Sequence, residues 1–205
     1  MHYRCFDKRI ALYASEMTDY RSAGSLGARI QAARKSRGMS ARELAEAIGG
    51  LPTQATIENI ETGRKVSVDV VQLLNIAMAV RVPLSYLLAP MGRPDSTLDL
   101  PGLSGDFDTM TSAELDAWIA SVPDGAHFAS SLEERNAAQE LQALREWGSK
   151  RAEISRLQAA LAIERSAMPE PGPFLRSTEA RLAQTQREGE RLAAFLRSAG
   201  WSIDS

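Results

Sequence analysis

Residues 40–64 read SARELAEAIGGLPTQATIENIETGR and contain the densest structural signals in the chain. Ser40 and Glu43 have the spacing of a capping box, in which each side chain binds an unsatisfied backbone N–H at the start of a helix. The helix that they open is followed by glycines at 49–50, which permit a sharp turn. A threonine then caps a further helix, expected over 53–62. The stretch therefore predicts two short helices joined by a glycine-containing turn.

Similar signals on both sides extend the helical pattern over residues 25–90. Before the quoted stretch, residues 26–37 carry apolar side chains at helical spacing and are followed by a glycine, a common C-terminal stop. After it, Ser67 is expected to cap a fourth helix over 68–80, and Pro83 to begin a short fifth helix. The apolar residues that the fourth helix carries are Val70, Val71, Leu74, Ile76, Ala77 and Val80. Five short helices predict a compact helical core.

The rest of the chain divides by composition. Residues 1–24 form a mixed extension, and residues 91–110 collect Gly, Pro, Ser and Asp, which is typical of a linker. A short amphipathic helix at 111–122 precedes two long helices, over about 129–167 and 174–199, that three prolines separate. We expect these two to fold back as an antiparallel hairpin. Strand signals are almost absent, so the predicted fold class is all-α, with domains at 1–24, 25–90, 91–110 and 111–205.

Charge is distributed unevenly along the chain. Residues 1–92 carry 12 Lys and Arg against 8 Asp and Glu, whereas residues 93–205 carry 12 against 18. A polyanionic partner is therefore expected to bind the first half. Residues 25–90 hold only 8 basic and 5 acidic side chains, so binding of a polyanion by one copy should be weak.

The polar side of the helix over 53–62 has an unusual composition. Its side chains are mostly small or amide groups in place of the lysines and glutamates of an ordinary solvated face, with one glutamate among them, and they are Gln54, Ala55, Thr56, Glu58 and Asn59. An amide can pair with N6 and N7 of adenine, and an alanine methyl can contact a thymine methyl. This composition fits base recognition in a DNA major groove. Viewed alone, it fits a polar surface helix equally well.

The helical pattern resembles the Cro/CI-type helix-turn-helix family of phage repressors and xenobiotic-response-element regulators. The resemblance rests on LGARI at 26–30, GMSARELA at 38–45, TQATIENIETGR at 53–64, LLNIA at 73–77 and VPLSYLL at 82–88. It implies a five-helix DNA-binding domain whose third helix enters the major groove. The residues that it places at base edges are Gln54, Ala55, Thr56 and Asn59. Those that it places at phosphates are Ser40, Arg42, Thr53, Thr62, Arg64 and Lys65, with Arg34 and Glu61 as a structural pair between the first and third helices.

Two positions depart from the family pattern. The turn at 49–52 is longer than the family norm, which changes how the third helix would enter a groove. Arg81 stands where the family often has glycine, so we expect it at a positive φ, at some conformational cost.

The last two helices are expected to pair copies of the chain. The final helix has a degenerate heptad with a gap at Gly189, and the preceding helix has an apolar face that Gly148 and Arg151 interrupt. Because a two-helix hairpin alone buries little surface, we expect a homodimer or higher homo-oligomer. The residues assigned to this contact are Leu141, Leu144, Ile154, Leu157, Leu161, Leu175, Leu182, Leu192, Phe195 and Leu196. A monomeric hairpin and pairing with a different protein stay open as alternatives.

Residue content argues against several classes of protein. One cysteine, Cys5, and two histidines leave almost no means of building a Cys/His zinc site or a nucleophile–base pair, so we expect no metal, no cofactor and no enzyme activity. No apolar run approaches the roughly 20 residues of a membrane span, and the first residues lack the apolar core of a signal peptide. We therefore expect a cytoplasmic protein without a membrane partner.

These observations lead to a main hypothesis and an alternative. The main hypothesis is a sequence-specific transcription regulator, a dimeric repressor that binds double-stranded DNA at an inverted-repeat operator. The alternative is an adaptor or scaffold that uses the helical core and the C-terminal arm for protein–protein contacts. The amide-rich face favours DNA, because a docking surface would more often present aromatic side chains.

Overall fold

A computed structural model describes residues 19–122, 125, 127, 129–167 and 173–203. These residues form two compact units that divide after Ile119. The helices are α1 (Leu26–Ser36), α2 (Ala41–Ala47), α3 (Gln54–Glu61), α4 (Val70–Val80), α5 (Leu84–Leu88), α6 (Ser112–Ile119), α7 (Leu132–Ala167) and α8 (Pro173–Ser198). A 3₁₀ turn covers Gly105–Phe107, and the described residues contain no strand beyond an isolated bridge between Thr97 and Thr111. The predicted all-α class is confirmed.

Some of the predicted features lie outside the described residues. These include the first 18 residues of the predicted N-terminal extension, with Cys5, and residues 168–172 of the proline-rich segment. Within the part that is described, none of the helices is long and apolar enough to cross a bilayer.

One side chain from each of α1–α5 forms the centre of the first unit. These five side chains are completely buried in one cluster, and they are Ile30, Leu44, Ile57, Ile76 and Leu87. Burying such a side chain stabilises a fold by about 1.5–3 kcal/mol relative to leaving it exposed. Because all five helices share the cluster, the position of α3 is fixed by the packing of the whole unit.

Helices α2 and α3 begin where the sequence predicts their caps. Ser40 Oγ accepts a hydrogen bond from the Glu43 N–H at 3.1 Å, and Glu43 Oε2 accepts one from the Ser40 N–H at 2.7 Å. The bond from the Ser40 N–H lowers the pKa of Glu43. At the start of α3, Thr53 Oγ1 accepts from the Thr56 N–H at 3.3 Å. These bonds satisfy backbone donors that no helical carbonyl can reach, and so they fix the first residue of each helix.

Helix α4 begins two residues later than the predicted start at position 68. Its N-cap is Asp69 rather than Ser67, and the Asp69 Oδ1 accepts from the Gln72 N–H at 2.8 Å. The residues that α4 buries follow helical spacing, and they are Leu73, Ile76, Ala77 and Val80. Leu73, which was not among the apolar residues named for this helix, packs in the central cluster.

Three of the apolar residues that α4 carries are exposed. Val70, Val71 and Leu74 are 66%, 62% and 49% exposed, and Met78 beside them is 80% exposed. Only one face of a helix can pack on a core, so the apolar residues on the other side of α4 are left outside. These four side chains, which we call the α4 stripe, form an apolar strip on the outer side of the helix.

Arg29 lies in the interior of the first unit, although arginine is a charged residue that is usually exposed. Its side chain is completely buried. Nε donates to the Leu87 carbonyl at 2.8 Å, and the terminal nitrogens donate to the carbonyls of Ala23 and Leu88 at 2.9 and 3.1 Å. The same two nitrogens bind the Asp99 carboxylate at 2.6 and 2.7 Å. All five N–H donors of the guanidinium are therefore satisfied.

The predicted linker and the helix after it pack within the first unit. Asp99, in the middle of the linker, is the counter-ion of the buried Arg29. The Ser112 N–H donates to the Ser96 carbonyl at 2.9 Å, and the Ser85 hydroxyl donates to the Asp116 carboxylate on α6. The division between units therefore falls after α6, whereas composition placed a boundary before it. A Gly- and Pro-rich composition does not reveal these contacts.

In the second unit, α7 and α8 pair as an antiparallel hairpin. Helix α7 continues without a break through Gly148 and Arg151, where its apolar face is interrupted. Ion pairs that cross between the helices are Lys150–Glu188 at 2.5 Å, Glu153–Arg181 at 2.6 Å and Arg165–Glu179 at 2.7 Å. Beyond α8, Trp201 Nε1 donates to Glu140 Oε2 on α7 at 2.8 Å, which closes this end of the hairpin.

The apolar residues of the hairpin are only partly covered. Of those predicted for pairing, Leu161 and Leu196 are buried, Phe195 is 45% exposed, and the others are half-buried. Leu161 and Leu182 line one shallow cavity between the helices. Two helices can cover only part of each other, so this unit leaves apolar surface open along its length.

Candidate nucleic-acid interface

Helix α3 is held by its apolar side and presents its polar side to solvent. Ile57 and Ile60 are buried, so the residues opposite them face outward. Gln54 and Ala55 are exposed on that side, and Asn59 is half-buried beside them. Thr56 lies at the edge of this face, where its hydroxyl is 3.0 Å from that of Thr53. Helix α3 thus brings three of the four predicted base-contacting residues together and places the fourth at their edge.

Two charged residues tie α1 to the last turn of α3. Arg34 Nε and Nη2 donate to the two carboxylate oxygens of Glu61, both at 2.6 Å, and Arg34 Nη1 donates to the Met39 carbonyl at 2.7 Å. The hydrogen bond to Glu61 raises the pKa of Arg34. A two-bond contact between guanidinium and carboxylate fixes direction as well as distance. This pair, predicted as structural from the resemblance, orients the recognition surface without being part of it.

Helices α1 and α3 approach each other closely at Gly27. A β-carbon at this position would lie 2.2 Å from the Ile60 carbonyl oxygen and 3.2 Å from that of Glu61. No side chain fits in that space, so a glycine is required for the two helices to meet. The exposed face of α3 therefore depends on a position that has no polar chemistry of its own.

The predicted phosphate-contacting residues before α3 lie on the exposed surface. Ser40 and Thr53 are exposed, and their hydroxyl oxygens serve as helix caps. Arg42 Nε donates to Glu46 Oε1 at 2.8 Å, and both side chains are largely exposed. The hydrogen bond to Glu46 raises the pKa of Arg42. Its remaining N–H groups are open to an anion.

The predicted phosphate-contacting residues after α3 differ in availability. The Thr62 hydroxyl donates to the Glu58 carbonyl at 2.7 Å, so its proton is already used within the helix. Lys65 Nζ donates to Gln72 Oε1 at 3.0 Å and keeps two further N–H donors. Arg64 is exposed. The basic side chains at 64–65, rather than Thr62, are thus the better donors to an anion at this end of α3.

The turn between α2 and α3, which is longer than the family norm, contains two glycines in the left-handed region. Gly49 and Gly50 have φ values of 79° and 85°, a region that other residues rarely adopt. Pro52 is buried, whereas Leu51 is exposed beside the start of α3. The turn ends at Thr53, which caps α3 as predicted.

The other departure from the family pattern, Arg81, has the predicted left-handed conformation. Its φ and ψ are 53° and 47° at the end of α4. Arg37 Nε donates to the Val80 carbonyl at 2.8 Å, and Arg37 Nη2 donates to the Arg81 carbonyl at 3.1 Å. These bonds satisfy carbonyls that the end of a helix leaves open, and they help to hold the strained residue in place.

One residue of the outward face was not among the predicted contacts. Glu58 is exposed one turn after Gln54, and its Oε1 accepts a hydrogen bond from Gln54 Nε2 at 2.8 Å. The two residues are four apart, a spacing that places their side chains next to each other on a helix. That spacing was readable from the sequence and would have identified the pair.

These features together define a class of protein. Two capped helices are joined by a sharp turn, and the second presents amide and methyl groups outward from an anchored position, with basic side chains on the helix before it and directly after its last turn. This is the arrangement of a helix-turn-helix DNA-binding domain, in which the second helix lies in the major groove.

Comparison with known families gives the same class. Residues 30–87 match the family described as "Helix-turn-helix", and they extend from α1 to α5. The match confirms the resemblance to Cro/CI-type regulators, so this segment is a helix-turn-helix domain of that family and the chain is a DNA-binding transcription regulator. The comparisons with curated proteins and with solved structures gave no match.

Proposed function

We propose that the chain is a dimeric repressor that reads an inverted-repeat operator with α3. The observation that carries this proposal is the outward position of Gln54, Ala55 and Asn59 on a helix whose other side is buried. A rigid base-reading helix holds its side chains in register with the base pairs before binding, so less ordering entropy is lost when the complex forms.

The chemistry of these side chains favours A·T base pairs. Each amide offers a donor and an acceptor, the complement of the N7 and N6 groups of adenine. The Ala55 methyl can contact a thymine methyl. Basic side chains before and after α3, among them Arg42, Arg64 and Lys65, would bind phosphates and set the register of the helix.

Pairing of several arginines with carboxylates supports binding by two copies rather than one. Arg29 and Arg34 are engaged with Asp99 and Glu61 inside the first unit, and so contribute little to phosphate binding. Few cations are left for a polyanion, and each lost phosphate contact weakens salt-dependent affinity. Two linked domains recover affinity because the second binding event becomes intramolecular.

The hairpin of α7 and α8 is the proposed dimerisation element. Its apolar residues are half-buried in one chain, among them Leu144, Leu157, Leu182 and Leu192. A second hairpin packed along this surface would produce a four-helix arrangement and cover what one hairpin leaves open. Dimerisation in this form gives two-fold symmetry, which an inverted repeat matches.

The decisive experiment is selection of bound DNA from random duplexes with the full chain. We expect an enriched inverted repeat with half-site centres about one helical turn, roughly 34 Å, apart. Gln54→Ala and Asn59→Ala should each cost about 1–3 kcal/mol and relax specificity at one base pair. Asn75→Ala, which removes an exposed amide on α4, is the matched control and should change neither the affinity for the operator nor the specificity.

Two results would contradict the proposal. If no motif is enriched, or if Gln54→Ala and Asn59→Ala bind the selected operator as the wild type does, α3 does not read bases. If light scattering gives one chain per particle at the concentrations used for binding, the dimeric part is wrong, and the enriched site should then lack two-fold symmetry.

The α4 stripe favours a second candidate function. Its four exposed apolar side chains occupy neighbouring positions on one helix, and such patches often mark protein contacts. An adaptor that uses the helical core for protein binding would need such a surface. Under this candidate, Met78→Ser would abolish partner binding, whereas Gln54→Ala and Asn59→Ala would have no effect on it.

A further inference from the structure

The hydrogen bond between Gln54 and Glu58 restricts what the Gln54 amide can recognise. An ionised carboxylate only accepts hydrogen bonds, so the nitrogen side of the amide must face Glu58. Both side chains are exposed on the outward face of α3. The bond uses one of the two N–H donors of the amide and leaves one donor and the carbonyl oxygen.

The donor and acceptor that are left match adenine and not guanine. Adenine presents an acceptor at N7 and a donor at N6 to the major groove, whereas guanine presents acceptors at both N7 and O6. An unrestrained glutamine can turn its two N–H donors toward guanine. With one donor held by Glu58, the same amide orientation would place the Gln54 oxygen against guanine O6, and two acceptors repel each other.

We propose that Glu58 is a specificity-determining residue, which holds the Gln54 amide in the orientation that accepts adenine and rejects guanine. The proposal rests on the proposed function, because it assigns a role within the same base-reading face. It explains why an acidic side chain stands on a surface that must approach phosphates. The negative charge weakens binding to every DNA sequence, and it sharpens the choice between two bases.

This role predicts that Glu58→Gln raises the affinity for DNA and lowers the preference for adenine over guanine. Loss of the charge should raise affinity for all duplexes by about twofold or more at low salt, because one repulsion from phosphates is removed. The neutral amide at 58 can donate or accept, so the Gln54 amide is free to flip, and the preference for adenine over guanine should fall by about three- to tenfold. A variant that was merely destabilised would lose affinity as well as preference.

The experiment uses the full chain and the operator selected by the wild type. The base pair that Gln54 reads is the one whose preference Gln54→Ala relaxes. Affinities for operators with adenine or guanine at that position are then measured for the wild type and for Glu58→Gln, Glu58→Ala and Glu46→Gln. Glu46 is an exposed carboxylate on α2 that binds Arg42 and not Gln54, so Glu46→Gln should raise affinity and leave the preference unchanged.

A double-mutant cycle separates positioning from direct reading. If Glu58 acts through Gln54, Glu58→Gln should have no effect on the preference when Gln54→Ala is already present. An unchanged preference in Glu58→Gln would overturn the proposal. So would a loss of preference at a neighbouring base pair only, which would mean that Glu58 itself reads a cytosine amino group. These outcomes differ from failure of the proposed function, in which the wild type enriches no motif at all.

Discussion

The two units of the chain reach stability in different ways. In the first unit, each of α1–α5 contributes a completely buried aliphatic side chain to one cluster, and even the completely buried Arg29 has a partner for every donor. In the second, two long helices leave most apolar residues half-buried and are joined by ion pairs at the surface. The first unit is complete within one chain, and the second has apolar surface left to cover. A self-contained domain suits a recognition surface that must be rigid, whereas an open hairpin suits association.

The largest change in the relative stability of the two units is expected from a substitution at Gly27. We expect Gly27→Ala to destabilise the first unit by about 3 kcal/mol or more, because overpacking against a backbone carbonyl cannot be relieved by a side-chain movement. Hydrogen exchange followed by mass spectrometry reports each unit separately, so peptides from α1 and α3 should lose protection while those from α7 and α8 keep it.

The control for this substitution is Gly24→Ala. A β-carbon at Gly24 would meet no atom within 4 Å, so this variant should retain the protection of the wild type. Equal behaviour of the two variants would show that α1 and α3 do not approach each other as described.

The next largest effect is expected at Asp99. Asp99→Ala leaves the buried Arg29 guanidinium without its counter-ion, and breaking such a pair is strongly destabilising. Because the Asp99 side chain is 26% exposed, we expect a loss of about 1–3 kcal/mol, less than for a fully buried pair. The midpoint of urea unfolding measures it.

A comparison with Asp95 isolates the contribution of the ion pair. Asp95 is an exposed carboxylate in the same segment, and Asp95→Ala should have little effect on the unfolding midpoint. If Asp99→Ala unfolds at the same urea concentration as Asp95→Ala, the pair of Arg29 and Asp99 does not contribute to the stability of the first unit.

An added methyl group should stabilise the hairpin of α7 and α8, whereas at Gly27 it destabilises the first unit. Gly189→Ala is expected to stabilise it by about 1 kcal/mol, because alanine is a better helix former than glycine. The new β-carbon would lie 3.7 Å from Ile154 Cδ1 and from Lys150 Cβ, an ordinary packing distance. Protection of α7 and α8 peptides from hydrogen exchange measures the change.

Gly148 is the matched position on α7. A β-carbon there would meet no neighbour within 4 Å, so Gly148→Ala should gain from helix propensity alone and stabilise no more than Gly189→Ala does. If Gly189→Ala destabilises the hairpin, α7 and α8 must pack more tightly around Gly189 than the 3.7 Å distances indicate.

The smallest expected effect is the pH dependence of the Lys150–Glu188 pair. The hydrogen bond from Lys150 lowers the pKa of Glu188, so the pair stabilises the hairpin above the ordinary glutamate pKa. That contribution is lost as the pH falls through the lowered pKa. The wild type should therefore melt slightly above Glu188→Gln at pH 7, and the difference should disappear once the pH is below the lowered pKa of Glu188.

Glu190→Gln serves as the comparison for the pH effect, because Glu190 binds Arg197 on its own helix rather than a residue of α7. A difference between the wild type and Glu188→Gln that persists unchanged at low pH would contradict an ionic origin.

Local signals explain why the first unit was largely predictable. Ser40, Glu43 and Thr53 act on backbone groups within three residues, and Ile57 and Ile60 follow helical spacing, so a short window of sequence contains what determines α2 and α3. The start of α4 was missed because Ser67 and Asp69 are both good caps, and only the packing of Leu73 in the core distinguishes them.

Distant partners explain the rest. The burial of Arg29 depends on Asp99, 70 positions away, which no local pattern can indicate. In the candidate site, the resemblance supplied Gln54, Ala55 and Asn59. Glu58 was named on the polar face but not among the predicted contacts, although its spacing from Gln54 was visible in the sequence.

The link between Arg29 and Asp99 has a consequence for where this domain ends. The family match stops at residue 87, and a reader guided by homology alone would cut the chain shortly after α5. Such a cut would remove Asp99 and leave the buried Arg29 without its counter-ion. The segment that matches the family is therefore shorter than the segment needed for a stable domain. The family match ends at residue 87, whereas the last residue needed to neutralise Arg29 is Asp99.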